Sequence, residues 1–408
     1  MKITPELLTK AYTRGIQSAL KGLATDGSDL HENYTPPAIC DMMLDKLDLT
    51  QPKSILVLYN LELLFALRLR KYTGPVTFFT QSPTKAEIAP KFLPGVAVEY
   101  IDKEENPLYF MENKWPEKFD IVVANPPYSS NLDLKFLIRA YDLSKGQICF
   151  VHPGTFLVEN KGKYSLFQQA RKKVFPDLVS SKLFNGNGIF GIGLFVPCSI
   201  TLVDKNRKSN LVHIQNLIYG KDFLVERGNL DKMSLFGFEN NWISFVEKIR
   251  SKMDIEGAKS LHSEGCVNMK GKGLRNQNSY FVEFTRICGR GHRGNLPINH
   301  KLHKDDFFTL ISPQQLVVKK GKNPKYDIWF EFETEKEGKN FLKYLQTDFV
   351  RSCLAITKFA QSLNSGEMKL IPWMDFKEEW NDEKLYAHFN ITEEEQAFIK
   401  EVIPPYYD

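Results

Sequence analysis

Asn125-Pro126-Pro127-Tyr128 follows directly on Phe119-Asp120-Ile121-Val122-Val123-Ala124, a largely apolar run with the length of a buried strand. The run predicts a strand of a parallel sheet and puts the tetrapeptide at its carboxyl end, where open α/β sheets place their ligand crevices. These residue types suit chemistry on an exocyclic amine of a nucleobase. Such an amine is a poor nucleophile because its lone pair is delocalised into the ring, and two acceptors aimed at its N–H groups make the nitrogen more pyramidal. The Asn125 side-chain oxygen and the Pro126 carbonyl can be those acceptors, while Pro126 and Pro127 stiffen the turn. Tyr128 offers a flat face to a base rotated out of a duplex. The chemistry requires neither a covalent nucleophile nor a metal.

The elements that must position this turn are legible as an alternation. Strand patterns occur near residues 54, 76, 96, 119 and 147, then at Val179–Phe184 and Ser199–Val203, with helical stretches between them. This predicts an α/β fold with a doubly wound, Rossmann-like sheet. A helix capped at Thr4-Pro5 runs to about Leu20 and is expected to pack on that sheet. Thr35-Pro36-Pro37, followed by the amphipathic stretch Ala38 to Leu47, reads as a helix start with Thr35 as cap. His152 ends the strand Gln147–Val151 and is expected as a turn residue with a satisfied ring. Asn106-Pro107-Leu108-Tyr109 imitates the Asn125 turn without a preceding apolar strand and is read as a plain turn. The glycine-rich run from Asn185 to Gly193 precedes a strand and not a helix, so it is no phosphate loop.

Composition narrows the class. The chain has 408 residues, 42% hydrophobic and 25% charged, enough for two or three domains and a substantial core. Six scattered cysteines lack CxxC spacing and indicate neither zinc nor a disulfide framework. The longest apolar stretch, Ile189 to Val203, is interrupted by Gly191, Gly193 and Pro197, and the amino terminus lacks a signal pattern, so no membrane partner and a cytoplasmic location are expected. The net charge of +5 hides a segregation: residues 1–205, 206–325 and 326–408 carry about +3, +10 and −8. The middle excess lies in three Gly-punctuated basic clusters, around Lys270, Lys272 and Arg275; Arg286, Arg290 and Arg293; and Lys319, Lys320 and Lys322. Glycines let backbone lie close to a ligand while Lys and Arg neutralise phosphates, so these clusters are expected as loops that contact double-stranded DNA. The acidic tail has capping boxes at Thr334–Glu337 and Thr392–Glu395 and is expected to be helical and structural.

With these residues in view, the chain resembles the DNA amino-methyltransferases, in particular the N6-adenine methyltransferases of restriction-modification systems and phages. The resemblance covers roughly half the chain. It implies a methyltransferase sheet in residues 1–205, a DNA-recognition domain in 206–333 and a helical region in 334–408. It implies that Asn125, Pro126, Pro127 and Tyr128 are catalytic, with Phe190 against the opposite face of the flipped base and Phe195 in reserve. It implies S-adenosylmethionine as cofactor, with Tyr34, Thr35 and Pro36 at its methionine end and Asp102 near its adenine.

The cofactor loop departs from that family. Where an acidic or aromatic residue and Gly-x-Gly should follow Ser54–Leu58, the chain reads Tyr59-Asn60-Leu61-Glu62, and no glycine occurs from Ser28 through Thr73. The strand Val76–Phe79 ends in Thr80-Gln81-Ser82, where a carboxylate would hold the ribose hydroxyls. Two readings follow. Either Tyr59, Asn60 and Glu62 build an unusual cofactor pocket, or the chain is a silent DNA-binding scaffold, paired with a second, cofactor-competent methyltransferase subunit.

Overall fold

A computed structural model describes residues 35–59, 65, 68–113, 115, 118–158, 165–186, 190, 197–217, 221–232, 240–264, 266–267, 279–284, 317–320, 328–357 and 365–403. The expected helix from Thr4 to Leu20 lies outside them. The chain divides into two compact units, Met1–Asp231 and Lys232–Asp408.

The first unit is built on a mixed, mostly parallel sheet of nine strands in the order β3-β2-β1-β4-β5-β7-β6-β8-β9. The strands are β1 (Ile55–Leu58), β2 (Val76–Thr80), β3 (Ala97–Tyr100), β4 (Phe119–Ala124), β5 (Ser144–Pro153), β6 (Leu178–Asn185), β7 (Pro197–Asp204), β8 (Leu211–Asn216) and β9 (Lys221–Glu226). All seven strands expected from the sequence are present, and the fold is α/β and doubly wound. The sheet continues past residue 205 because β8 pairs parallel to β6 and β9 pairs antiparallel to β8. Strand β7 runs antiparallel to both its neighbours. From β1 the chain winds one way to β2 and β3; from β4 it winds the other way to β5. The direction of winding reverses between β1 and β4, the place where doubly wound sheets ordinarily carry a ligand crevice at the strands' carboxyl ends.

Both faces of the central strands are buried, which is why β1 and the Ile121–Ala124 part of β4 read as apolar runs. Ile55, Val57, Ile121 and Val123 point to one face, where α1 (Pro37–Leu44) and α2 (Pro83–Phe92) add Ile39, Cys40, Met43, Ile88 and Phe92 to one core cluster. The opposite face is covered by α4 (Leu132–Leu143), which packs on β4 and β5 and against α5 (Leu166–Val174). Ser54 donates from its backbone N–H and its hydroxyl to Asp120 Oδ2, both at 2.8 Å. These bonds pin β1 to β4 at their amino ends and hold the Asp120 carboxyl below its ordinary pKa. Two expectations need correction. Asn106–Tyr109 is not a plain turn: Asn106 Oδ1 accepts from the backbone N–H of Leu108 at 3.0 Å and opens α3 (Pro107–Asn113). His152 lies inside β5, fully buried, with its Nδ1 lacking a hydrogen-bond partner among the described residues. The reason is a polar chain through the core: Asp133 Oδ2 lies 3.6 Å from His152 Nδ1, and Nε2 lies 2.9 Å from Thr201 Oγ1. From Thr201 the chain passes to Ser199 Oγ at 2.8 Å and on to Ser181 Oγ at 2.6 Å.

The second unit holds a four-stranded antiparallel sheet, order β10-β13-β11-β12, from β10 (Cys266–Val267), β11 (Tyr280–Phe284), β12 (Val317–Lys320) and β13 (Ile328–Phe332). Both expected capping boxes are formed, at Thr334 opening α6 (Glu335–Gln346) and at Thr392 opening α7 (Glu393–Val402). Helix α6 packs on this sheet through Phe341, whose ring centroid lies 4.8 Å from that of Phe330 and 5.1 Å from that of Phe332. The half-buried Trp373 stacks on Phe332 with ring planes 5° apart. No helix among the described residues is long and apolar enough to cross a membrane.

Cys40, Cys149, Cys198 and Cys353 are buried free thiols. Burial pushes Cys149 and Cys198 up to about 12, so their thiols stay protonated at pH 8 and lack the reactive thiolate. Iodoacetamide at pH 8 should therefore leave these four unmodified in the native protein and alkylate them rapidly in urea, as read by peptide mass spectrometry. Rapid native labelling of Cys149 would contradict this core.

Candidate active site

Leu58 pairs with Ala124 at the last register position of β1 and β4, so Tyr59 and Asn125 leave the sheet side by side at the switch point. Strand alternation puts Asn125 on the same face as Ile121 and Val123, the face covered by α1. Thr35 sits two residues before that helix. Its expected role as helix cap is not observed: Pro36 occupies the N-cap position and no side chain caps the helix. Instead the Asn125 Nδ2 amine donates to Thr35 Oγ1 at 2.7 Å, joining two buried side chains ninety residues apart. At the other end of the carboxamide, the Tyr128 hydroxyl donates to Asn125 Oδ1 at 2.6 Å. Tyr128 is half-buried, and burial, with smaller contributions from Cys198 and Asp133, raises its phenol well above the ordinary value. The neutral hydroxyl is therefore the form present at working pH, which is the form that can donate.

The four residues of the motif thus form one turn, with the Asn125 carboxamide fixed at both ends. Pro126 and Pro127 are buried in it. Directly beyond, Ser130 and Asn131 take positive φ of 54° and 58° to turn the chain into α4. Phe190 is half-buried and packs on Phe184, their ring centroids 6.2 Å apart, at the edge of the α1-side core cluster. Phe195 lies outside the described residues.

On the β1 side Tyr59 packs into the core. Its φ of 34° is in the left-handed region that glycine ordinarily fills, and its ring is fully buried. It packs edge-on against Phe79 at 5.5 Å and Phe136 at 5.1 Å. The Tyr59 hydroxyl donates to Gln81 Oε1 at 2.9 Å. Gln81 Nε2 in turn donates to the carbonyls of Asp102 at 3.1 Å, Lys103 at 3.3 Å and Glu105 at 3.2 Å. Gln81 therefore ties the segment after β3 to the turn after β1. Asp102 is exposed, and its Oδ1 accepts from the Tyr100 hydroxyl at 3.2 Å. Tyr34, Asn60 and Glu62 lie outside the described residues.

S-adenosylmethionine can be tested against these side chains. Its ribose asks for an exposed carboxylate at the end of β2, and the chain offers Gln81, 2% exposed and engaged at both ends of its amide. Its nucleoside asks for bare backbone after β1, where the chain has Tyr59 with its ring buried against Phe79 and Phe136. At the methionine end Thr35 is engaged with Asn125. As the sequence already indicates, the described residues after β1 and β2 supply neither bare backbone nor a carboxylate. Among them, no cluster of three or more metal-ligating side chains occurs.

Of the basic residues expected to face DNA, Lys319 and Lys320 are described, and they are not in a loop. They lie in β12, an edge strand, paired with Phe281 and Tyr280. The exposed Lys320 places its Nζ 5.4 Å from the centroid of the Tyr280 ring. Lys270, Lys272, Arg275, Arg286, Arg290, Arg293 and Lys322 lie outside the described residues.

The sequence matches no protein-family model and no curated protein. Solved structures similar to it include the type I restriction-modification system methyltransferase subunit from Streptococcus thermophilus, 17% identical over 47% of this chain and 48% of that one, with a TM-score of 0.38. A modification subunit of a putative type I restriction enzyme from Vibrio vulnificus is 13% identical over 53% of each chain, with a TM-score of 0.39. The type IIG restriction endonuclease BpuSI is 12% identical over 98% of this chain and 69% of its own, with a TM-score of 0.42. The match to the first two spans about half of their length.

Removing one partner of a buried hydrogen bond leaves the other unsatisfied, at about 1–3 kcal/mol. Tyr59→Phe, which deletes only the hydroxyl that serves Gln81, should lower the stability measured by urea unfolding by about that amount. An unchanged midpoint and slope would mean that the Tyr59–Gln81 bond does not close this turn.

Proposed function

We propose that the chain is a DNA methyltransferase acting on the N6 amino group of an adenine rotated out of the duplex. The observation that carries this reading is the Asn125 turn at the topological switch point, with its carboxamide anchored by Thr35 and its oxygen directed toward Tyr128. In this reading the amine donates to Asn125 Oδ1, where it competes with the Tyr128 hydroxyl, and to the Pro126 carbonyl. The purine ring stacks on Tyr128, with Phe190 on its other face. These contacts orient the nitrogen and raise its nucleophilicity without removing a proton beforehand. S-adenosylmethionine is the methyl donor of this reading. The basic residues between 270 and 322 hold the phosphates of double-stranded DNA in a recognition region.

A second reading is favoured by a specific observation. Because Gln81 is buried and tied to Tyr59 and the 102–105 segment, the chain also suits a silent scaffold that binds DNA beside a cofactor-competent subunit. Binding of labelled S-adenosylmethionine, with and without duplex DNA, separates the two. Absence of binding in both conditions selects the scaffold.

If the chain methylates, Asn125→Ala should reduce N6-methyladenine formation at least about a hundredfold, measured by nucleoside mass spectrometry, and leave DNA affinity nearly unchanged. Equal activity in wild type and variant would eliminate the clamp. Substituting Arg290, Arg293, Lys319 and Lys320 together with Ala should weaken duplex binding and flatten its salt dependence, the slope falling by about 0.9 for each phosphate no longer neutralised. An unchanged slope would remove these residues from the DNA interface.

A further inference from the structure

Gln81 follows β2 directly and is tied down at both ends of its amide. On one side Nε2 faces three backbone carbonyls of one turn, those of Asp102 at 3.1 Å, Lys103 at 3.3 Å and Glu105 at 3.2 Å. Backbone carbonyls accept and never donate, so the NH2 group must face them and Oε1 must face away. There it meets the Tyr59 hydroxyl at 2.9 Å, which in this orientation is the donor. The turn is itself closed, by the Glu105 N–H on the Asp102 carbonyl at 3.0 Å and by the Asp102 N–H on Glu105 Oε1 at 3.4 Å. Residues 102 to 105 are exposed, while their carbonyls reach inward to an amide that is 2% exposed.

A carboxylate accepts only, so in place of this amide it would meet three carbonyl oxygens with nothing to donate to it. An acid that holds ribose hydroxyls at the end of β2 and the bonds formed by Gln81 therefore exclude each other. We infer that Gln81 is a specificity-determining residue that bars a ribose diol from the end of β2 by latching the β2 turn to the 102–105 turn, so that a nucleoside enters only when the latch is released. The inference rests on the reading of this strand end as the place of the methyl donor's ribose; the latch rests on the hydrogen bonds alone. It does not involve the Asn125 turn, so the amine clamp stands or falls separately. It gives Gln81→Glu an unusual sign. The new carboxylate is turned out of the carbonyls, which frees the 102–105 turn and leaves two acceptor oxygens for a diol.

The test compares the full wild-type chain with Gln81→Glu and with Gln81→Ala, which releases the turn without supplying an acceptor. The first readout is amide hydrogen exchange of the peptide containing residues 102 to 105, followed by mass spectrometry. The second is affinity for labelled S-adenosylmethionine and for adenosine, with 2′,3′-dideoxyadenosine, which lacks the diol, as the control. Both variants should exchange faster than wild type in that peptide. Gln81→Glu should bind S-adenosylmethionine and adenosine at least about tenfold tighter than wild type, as hydrogen bonds to a carboxylate allow, with no gain for dideoxyadenosine. Gln81→Ala should gain less. If Gln81→Glu unfolds, Gln81→Asp, whose shorter carboxylate stands clear of the carbonyls, replaces it. Unchanged exchange in both variants overturns the latch. Faster exchange without tighter adenosine binding in the acidic variant means that no ribose belongs at this strand end, and overturns the inference although the latch bonds exist. An equal gain for dideoxyadenosine overturns the assignment to the diol.

Discussion

The buried bond between Asn125 and Thr35 is the constraint on which the site depends. It ties the end of the fourth strand to the entrance of the first helix, so one contact couples the turn that presents acceptors to the layer that covers the sheet. The Ser54–Asp120 bonds pin the same two central strands at their opposite ends. Between these fixed points the strands have no register freedom, and the turn at Asn125 inherits their rigidity. Tyr128 closes the arrangement by folding back onto the carboxamide oxygen, its raised phenol pKa keeping it a donor.

The neighbouring turn is built by a different logic. Where a bare backbone would leave room, Tyr59 takes a left-handed conformation and drives its ring into the aromatic core between Phe79 and Phe136. Gln81 then spends its amide within the protein. The two turns are thus unlike: after β4 a buried carboxamide is held by Thr35 and Tyr128, and after β1 a buried ring and amide bond within the protein. This asymmetry explains why one motif can point to amine chemistry while the adjoining turn disagrees with the usual companion of that chemistry.

Much of the fold could be read from residues alone because its signals are local. Strand β4 announces itself by a largely apolar run, the Asn125 turn by two consecutive prolines, and the two acidic helices by reciprocal caps three residues apart. The failures share a cause in long-range pairing. Thr35 satisfies every local rule for a cap, yet its hydroxyl is taken by a residue ninety positions away, which no spacing rule reveals. Gly321 and the charges around it predict a loop at Lys319 and Lys320, whereas pairing with Tyr280 and Phe281 makes them an edge strand. Strands β8 and β9 extend the sheet where the sequence predicts no additional strands, since their short alternating pattern gains meaning only beside β6.

The line of polar groups from Asp133 through His152, Thr201 and Ser199 to Ser181 has a bearing on how the reversed strand β7 finds its place. Strands covered on both sides carry oil on either surface, so hydrophobicity cannot say which surface belongs up. Ser199 and Thr201 break that symmetry. Sliding β7 by a single residue would offer Cys198, Ile200 and Leu202 to His152 and Ser181, stranding their polar atoms and driving two hydroxyls into grease. A handful of oxygens thus acts as a key cut for one lock position, where greasy teeth alone would turn in several.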